Sequence, residues 1–322
     1  MKIIRRILRI VLVLFLLLNI VAAFHAYKFT HFYPDAEVLK KKPEEMNGWD
    51  KAKAMLFGIT YAKSKNLVQP DSSYSAINFI TKDSLKIEAW HIKQARAKGT
   101  VILFHGHGSS KSKVLDEAAF MFSIGFNTLL VDFRAHGGSE GKVCTIGYKE
   151  AEEVKLAYDY IRSTGEMNTC LWGISMGAAA ITRAISEYKL KPQRVILEMP
   201  FGSLQQAVKG RVRIMGLPEQ PISTLLTFWG GTEQGFWAFT HSPAEYAKNI
   251  DCPALIQWGR NDPRVTLDET EAVFNNLNTD RKKLVLYENS KHESLCDKEP
   301  VKWRREVAVF LSAEELQPIK TN

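Results

Sequence analysis

The chain has 322 residues, 45% of them hydrophobic, with glycine, proline and charged residues near ordinary frequency; one large core is supported, and disordered or fibrous classes are excluded. The net charge is +8, but residues 1–100 carry 17 Lys and Arg against 8 Asp and Glu, while residues 101–322 carry 26 against 27. The basic excess therefore sits near the N-terminus, where it can meet anionic lipid, and a nucleic-acid partner, which would want basic stripes on the folded domain, is not expected.

Lys2, Arg5, Arg6 and Arg9 precede an apolar run from Ile10 to Phe24. With its flanks this run approaches the ~20 residues of a spanning helix. Phe24, Tyr27, Phe29, Phe32 and Tyr33 follow as an aromatic belt. The segment 1–27 is read as an uncleaved signal-anchor. The alternative is a secretory signal cleaved at Val21-Ala22-Ala23, giving a secreted protein. Either reading puts the catalytic part on the non-cytoplasmic side, because the positive charges lie mainly before the span. Residues 28–74 are read as a linker with one short helix. That helix carries Trp49, Ala52 and Leu56 at helical spacing and stops at Gly58; Lys40, Lys41 and Lys42 are read as solvated. A chain begun near Tyr33 is expected to be soluble and active.

Residues 75–322 are expected to form one α/β domain. SAINFITKDSLKIEAWHIK predicts a hairpin turning near Lys82-Asp83. Buried strands follow at TVILF, FNTLLVDF, NTCLWGIS, RVILEMP, CPALIQWG and KKLVLYE, with helical patterns between them. Such alternation implies a mostly parallel, doubly wound sheet with helices on both faces. Residues 200–246 interrupt it between the fourth and fifth of these strands.

GISMG, at residues 173–177, is a G-x-S-x-G sequence between a strand and a helix. A nucleophile there must stand on a sharp turn, and Gly173 and Gly177 remove side chains that would collide across it. The new helix also aims N–H groups and its positive dipole end at the reacting carbonyl. Ser175 is the predicted nucleophile. It needs a base oriented by an acid. His241 and His292 are the histidines that follow it. His292 lies directly after the strand KKLVLYE and is the expected base; His241 precedes its strand and is set aside. Asp262, after CPALIQWG, is the expected acid, with Glu198 as runner-up. The backbone N–H groups of His107 and Met176 are the expected oxyanion donors, His107 lying in the HGHG loop after TVILF. A His-x-His metal site at His105 and His107 is the rival reading; it lacks a third ligand at recognisable spacing, so no metal is expected. Cys144, Cys170, Cys252 and Cys296 form no metal spacing, and Cys170 and Cys252 read as buried thiols.

FHGHG, VDFRAHGGSEG, GISMG, PALIQWGRNDPRV and KHES, across about residues 99–312, resemble the α/β-hydrolase superfamily, and within it the serine-aminopeptidase-like esterases and lipases. The resemblance implies the triad Ser175, Asp262 and His292, the HGHG oxyanion loop and a helical cap insertion at residues 200–246.

The expected activity is hydrolysis of carboxylic esters through an acyl-enzyme, with no cofactor, on a small-molecule or lipid-like ester substrate. Aromatic residues of the cap, Trp229 and Trp237 above all, are candidates to line its pocket, and Lys209, Arg211 and Arg213 read as solvated. A peptidase or acyltransferase with the same triad is a second reading. An aminopeptidase would want an acidic cap residue facing Ser175, for which Glu219, Glu233 and Glu245 are candidates. A non-catalytic binding protein of this fold is the third.

Overall fold

The structure, a computed structural model, describes residues 1–34 and 43–312; Lys40, Lys41 and Lys42 lie outside them. The chain begins with α1 (Lys2–Thr30), which is long and apolar enough to cross a membrane. No glycine or proline interrupts it, and it runs three residues beyond the expected boundary at 27. At ~1.5 Å per residue it is about 44 Å long, more than the ~30 Å of a hydrocarbon core. Its two ends differ. The side chains before Asn19 are exposed on every face, whereas Ala22, Ala26 and Thr30, four residues apart, are buried. These small residues let a cap helix approach closely. That contact is fixed by hydrogen bonds from Trp229 Nε1 to Asn19 Oδ1 at 3.1 Å and from Gln234 Nε2 to Thr30 Oγ1 at 3.2 Å.

The chain past the helix is structured. Strand β1 (Phe32–Tyr33) pairs in parallel with β2 (Tyr61–Ala62), and Phe32 is buried. Between them α2 (Gly48–Phe57) starts at Asn47, whose side chain accepts from Asp50 N at 2.8 Å, and stops at Gly58, as the sequence suggests.

The expected hairpin is β3 (Tyr74–Ile80) and β4 (Lys86–Ile92), paired antiparallel. The alternation follows: β5 (Thr100–Phe104), α3 (Leu115–Ser123), β6 (Asn127–Val131), α4 (Ala151–Ser163), β7 (Thr169–Ile174), α5 (Met176–Tyr188) and β8 (Arg194–Glu198). The insertion then supplies α6 (Leu204–Ile214), α7 (Ile222–Gln234) and α8 (Pro243–Tyr246). The domain closes with β9 (Ala254–Gly259), α9 (Leu267–Asn276), β10 (Lys282–Tyr287), α10 (Leu295–Lys298) and α11 (Pro300–Ser312).

These strands form one eight-stranded sheet in the order β10-β9-β8-β7-β5-β6-β4-β3, parallel except for the pairings of β4 with β3 and β6. Every residue of β5 and β9 is buried, which is why those strands read as continuous apolar runs: helices cover both faces. Strand order reverses around β5, whose neighbours are β6 on one side and β7 on the other. Open α/β sheets bind their ligands at the carboxyl ends of the strands beside such a reversal. The four cysteines are free and buried in the core.

Candidate active site

Ser175 stands between the end of β7 and the first turn of α5, with φ +54° and ψ −108°. A side-chain-bearing residue rarely adopts this backbone, and holding one there costs ~1–3 kcal/mol. The flanking glycines make it feasible. A Cβ on Gly177 would lie 2.3 Å from the Phe104 carbonyl oxygen of β5, and one on Gly173 would lie 2.6 Å from the Gly177 carbonyl carbon. Ala178, Ala179 and Ala180 are fully buried, so α5 lies directly on the sheet. The turn is pinned where Ser175 N donates to Glu198 O at 2.8 Å.

The loops after β9 and β10 bring in the other two side chains. Asn261 N donates to Ser290 O at 3.0 Å and Asn261 Nδ2 to Glu288 O at 2.9 Å, so the two loops hold each other. A Cβ on Gly259 would lie 2.5 Å from Ser290 O, so only glycine permits this approach. His292 Nδ1 then lies 2.6 Å from Asp262 Oδ2, and His292 Nε2 lies 2.9 Å from Ser175 Oγ. The other Asp262 oxygen, Oδ1, accepts from Arg264 N at 2.7 Å and Val265 N at 3.0 Å. The Asp262 side chain is fully buried and that of His292 nearly so. A buried carboxylate facing Nδ1 holds the proton there and leaves Nε2 to accept from the serine hydroxyl.

His107 and Met176 both line the small pocket at Ser175. As the first residue of α5, Met176 has an N–H that the helix does not use, and among the described residues the His107 N–H has no acceptor. The loop carrying His107 is held by other histidines. Gly108 N donates to His136 Nε2 at 3.0 Å while His136 Nδ1 donates to Arg134 O at 2.8 Å. His105 Nε2 accepts from Phe133 N at 3.1 Å. Burial pushes His105 and His136 below the usual imidazole range, His105 to about 3, so both stay neutral with their tautomers fixed by these bonds. Beneath the loop, fully buried Asp132 accepts from Lys111 N at 2.7 Å and Gly138 N at 2.8 Å and is paired with the Lys111 ammonium. The contribution of His136 depends on a contact 28 residues away, with Gly108.

The runner-up acid is elsewhere. Glu198 Oε1 accepts from Trp172 Nε1 at 3.0 Å, Gln257 Nε2 at 3.0 Å and Trp303 Nε1 at 2.6 Å, inside the core. Burial raises its carboxyl to about 7. His241 is also a core residue; its Nε2 lies 3.0 Å from Ile146 O.

Three expectations about the surroundings are corrected. Trp229 and Trp237 line neither the serine pocket nor the cavity beside it. Trp229 turns to α1 and bonds Asn19 while α7 directs Leu225 and Leu226 inward, and Trp237, beyond the end of α7, is 57% exposed. Arg211 is not a solvated charge. It lines both the serine pocket and the cavity, and its guanidinium lies 5.7 Å from the Phe29 ring centroid. Burial and neighbouring Arg264 lower it to about 10. Residues 28–33 do not behave as a linker. Phe29 stacks on the His107 ring at 4.8 Å. A chain begun near Tyr33 would therefore lose part of the wall of the site.

The pocket at Ser175, about 40 Å³, adjoins an apolar cavity of about 300 Å³. Phe29, Ile146, Leu204, Val208 and Arg211 belong to the walls of both.

Comparison with known proteins agrees with this architecture. Residues 95–229 match the serine aminopeptidase (S33) hydrolase family model. The chain is 24% identical over 229 residues to the protein YqkD of Bacillus subtilis, covering 70% of this chain and 75% of that one. It is 25% identical over 207 residues to the mouse lysophosphatidylserine lipase ABHD12, covering 59% of this chain and 48% of the lipase, so it spans about half that relative's length. The Pyrococcus furiosus esterase Pf2001 superposes with a TM-score of 0.64 at 24% identity, over 78% of this chain and 98% of the esterase, and shares its fold. The sheet order, the strained serine turn after β7 and these likenesses together give the chain the α/β-hydrolase fold and make it similar to the serine aminopeptidase (S33) hydrolase family over residues 95–229.

Proposed function

We propose that the protein hydrolyses lipid-like carboxylic esters through an acyl-enzyme on Ser175. The observation that carries this reading is the continuous relay from Ser175 Oγ to His292 to Asp262, opening beside an apolar cavity. Ser175 Oγ attacks the ester carbonyl while His292 Nε2 takes its proton. The tetrahedral oxyanion is held by the N–H groups of His107 and Met176. The imidazolium, stabilised by Asp262, returns the proton to the leaving alkoxide, and the alcohol departs. Water, deprotonated by the same nitrogen, then releases the acid.

Three features favour a lipid-like ester. The cavity is apolar, α1 offers a membrane anchor, and relatives are named lysophosphatidylserine lipases. Arg211, where the two cavities meet, suits an anionic group close to the ester. The charge pattern around α1 favours the non-cytoplasmic side for the catalytic domain. Aminopeptidase action is disfavoured because its candidate acids are turned away: Glu219 pairs with Arg213 at 2.8 Å, Glu245 with Lys248 at 2.7 Å, and Glu233 lines neither cavity.

A fluorophosphonate probe should label the wild type and leave folded Ser175→Ala unlabelled. A parallel screen of esters, thioesters and aminoacyl amides should show esters turned over fastest. Labelling that persists in the folded variant, or a preference for aminoacyl amides, would count against the proposal.

A further inference from the structure

We infer that the membrane helix is itself a wall of the acyl-chain site, and that the substrate's hydrocarbon chain enters that site from the bilayer alongside it. This rests on the ester-hydrolase reading above and adds where the chain lies. The cavity next to Ser175 is lined chiefly by four helices. From α1 come Leu18, Val21, Ala22, Ala26 and Phe29, and from α2 come Ala54 and Met55. From the cap, α6 gives Val208 and Val212, and α7 gives Leu225 and Leu226. Its inner end shares Phe29, Leu204 and Arg211 with the serine pocket. Its outer end lies where Leu18, Val21 and Met55, still 37%, 48% and 37% exposed, line the cavity. Leu18 and Val21 belong to the run read as embedded in hydrocarbon. The cavity thus joins the side of the protein that faces lipid to the reacting hydroxyl.

Chemistry commits the occupant to a single hydrocarbon chain. The walls are almost wholly apolar, and Arg211, shared with the serine pocket, is the one arginine among the residues that line the cavity. An ester carbonyl at Ser175 therefore leaves its chain running outward along α1, with Arg211 beside the polar part of the molecule. Such a chain never crosses water on its way from bilayer to serine.

The full-length protein in detergent micelles tests this with p-nitrophenyl esters from acetyl to dodecanoyl. The readout is the dodecanoyl-to-acetyl ratio of kcat/KM. Each buried methylene is worth up to about fourfold, so displacing two of them costs on the order of tenfold. Ala26→Phe and Val21→Trp, which fill the cavity from α1, should lower the ratio on the order of tenfold. Ile20→Trp, on an exposed α1 position outside the cavity walls, should not change it. As a second measurement, an alkyl fluorophosphonate carrying a terminal diazirine should attach to Ser175 and, on irradiation, crosslink to peptides of the cavity-lining helices, α1 among them. Labelling at Ser175 with an unaltered ratio in both filled variants, or with crosslinks confined to other elements, would overturn the inference and leave the esterase reading standing. No labelling at Ser175 would remove both.

Discussion

Replacing Asp262 by Asn tests the relay more sharply than removing it. The carboxylate uses its two oxygens differently: Oδ1 accepts two backbone N–H groups, from Arg264 and Val265, while Oδ2 faces His292 Nδ1 at 2.6 Å. An asparagine of the same shape must keep its carbonyl oxygen on the two backbone donors, because turning it over would set an NH2 group against two N–H groups. Its amide nitrogen therefore faces Nδ1 and donates to it. The imidazole is forced into the tautomer protonated at Nε2, which donates to Ser175 Oγ and cannot take its proton. Fold and backbone contacts survive, while the base is lost. The expected fall in kcat is about 10⁴-fold, or ~5.5 kcal/mol of transition-state stabilisation. Asp262→Ala, which leaves the imidazole free to change tautomer, should be no worse despite leaving two backbone donors unpaired. The assay is steady-state hydrolysis of p-nitrophenyl butyrate, with thermal melting to show that both variants are folded. A kcat for Asp262→Asn within tenfold of wild type would refute this account of how the hydrogen bonds are shared.

Two further outcomes follow from the same geometry. Ser175→Gly and Ser175→Ala should both be inactive, but the glycine variant should be the more stable, because it relieves a φ of +54° at a smaller cost in unfolded-state entropy; a net gain of about 1 kcal/mol appears as ~2–4 °C in Tm, and an alanine variant melting higher would refute the strain. Glu198→Gln should keep kcat within several-fold and flatten the dependence of stability on pH. With its folded pKa raised to about 7 from an ordinary 4.5, Glu198 keeps its proton while the unfolded chain gives it up, so wild-type stability falls between pH 4.5 and 7 by on the order of 3 kcal/mol and is level above. Denaturant melts at pH 5 and pH 8 that differ equally in wild type and variant would contradict this.

Much of the architecture was legible because parallel strands covered on both faces need apolar runs, and each run from TVILF to KKLVLYE became a strand of the sheet. The glycines of GISMG announced a turn with no room for side chains, and the close approaches at Gly173 and Gly177 are its physical content. Positions after strand ends are what bring Asp262 and His292 to Ser175. What escaped depends on which neighbour a helix face meets. Trp229 and Leu226 lie three residues apart on α7, and nothing in their spacing tells which turns to α1 and which to the cavity. Arg211 read as solvated because a lone arginine usually is; its guanidinium instead lies 5.7 Å from the ring centroid of Phe29, 182 positions earlier. The small-residue stripe Ala22, Ala26 and Thr30 was hidden within an apolar run that shows no polar face.

The continuity of α1 into the domain has a mechanical consequence. Where α1 crosses a bilayer, its C-terminal half stays bolted to α7 through Asn19 and Thr30. An α1 that stays in the bilayer then fixes the height and tilt of Ser175 above the lipid surface as a mast would. An enzyme mounted this way searches a plane. Its turnover should track the mole fraction of substrate in its own leaflet and stay indifferent to the volume of water outside.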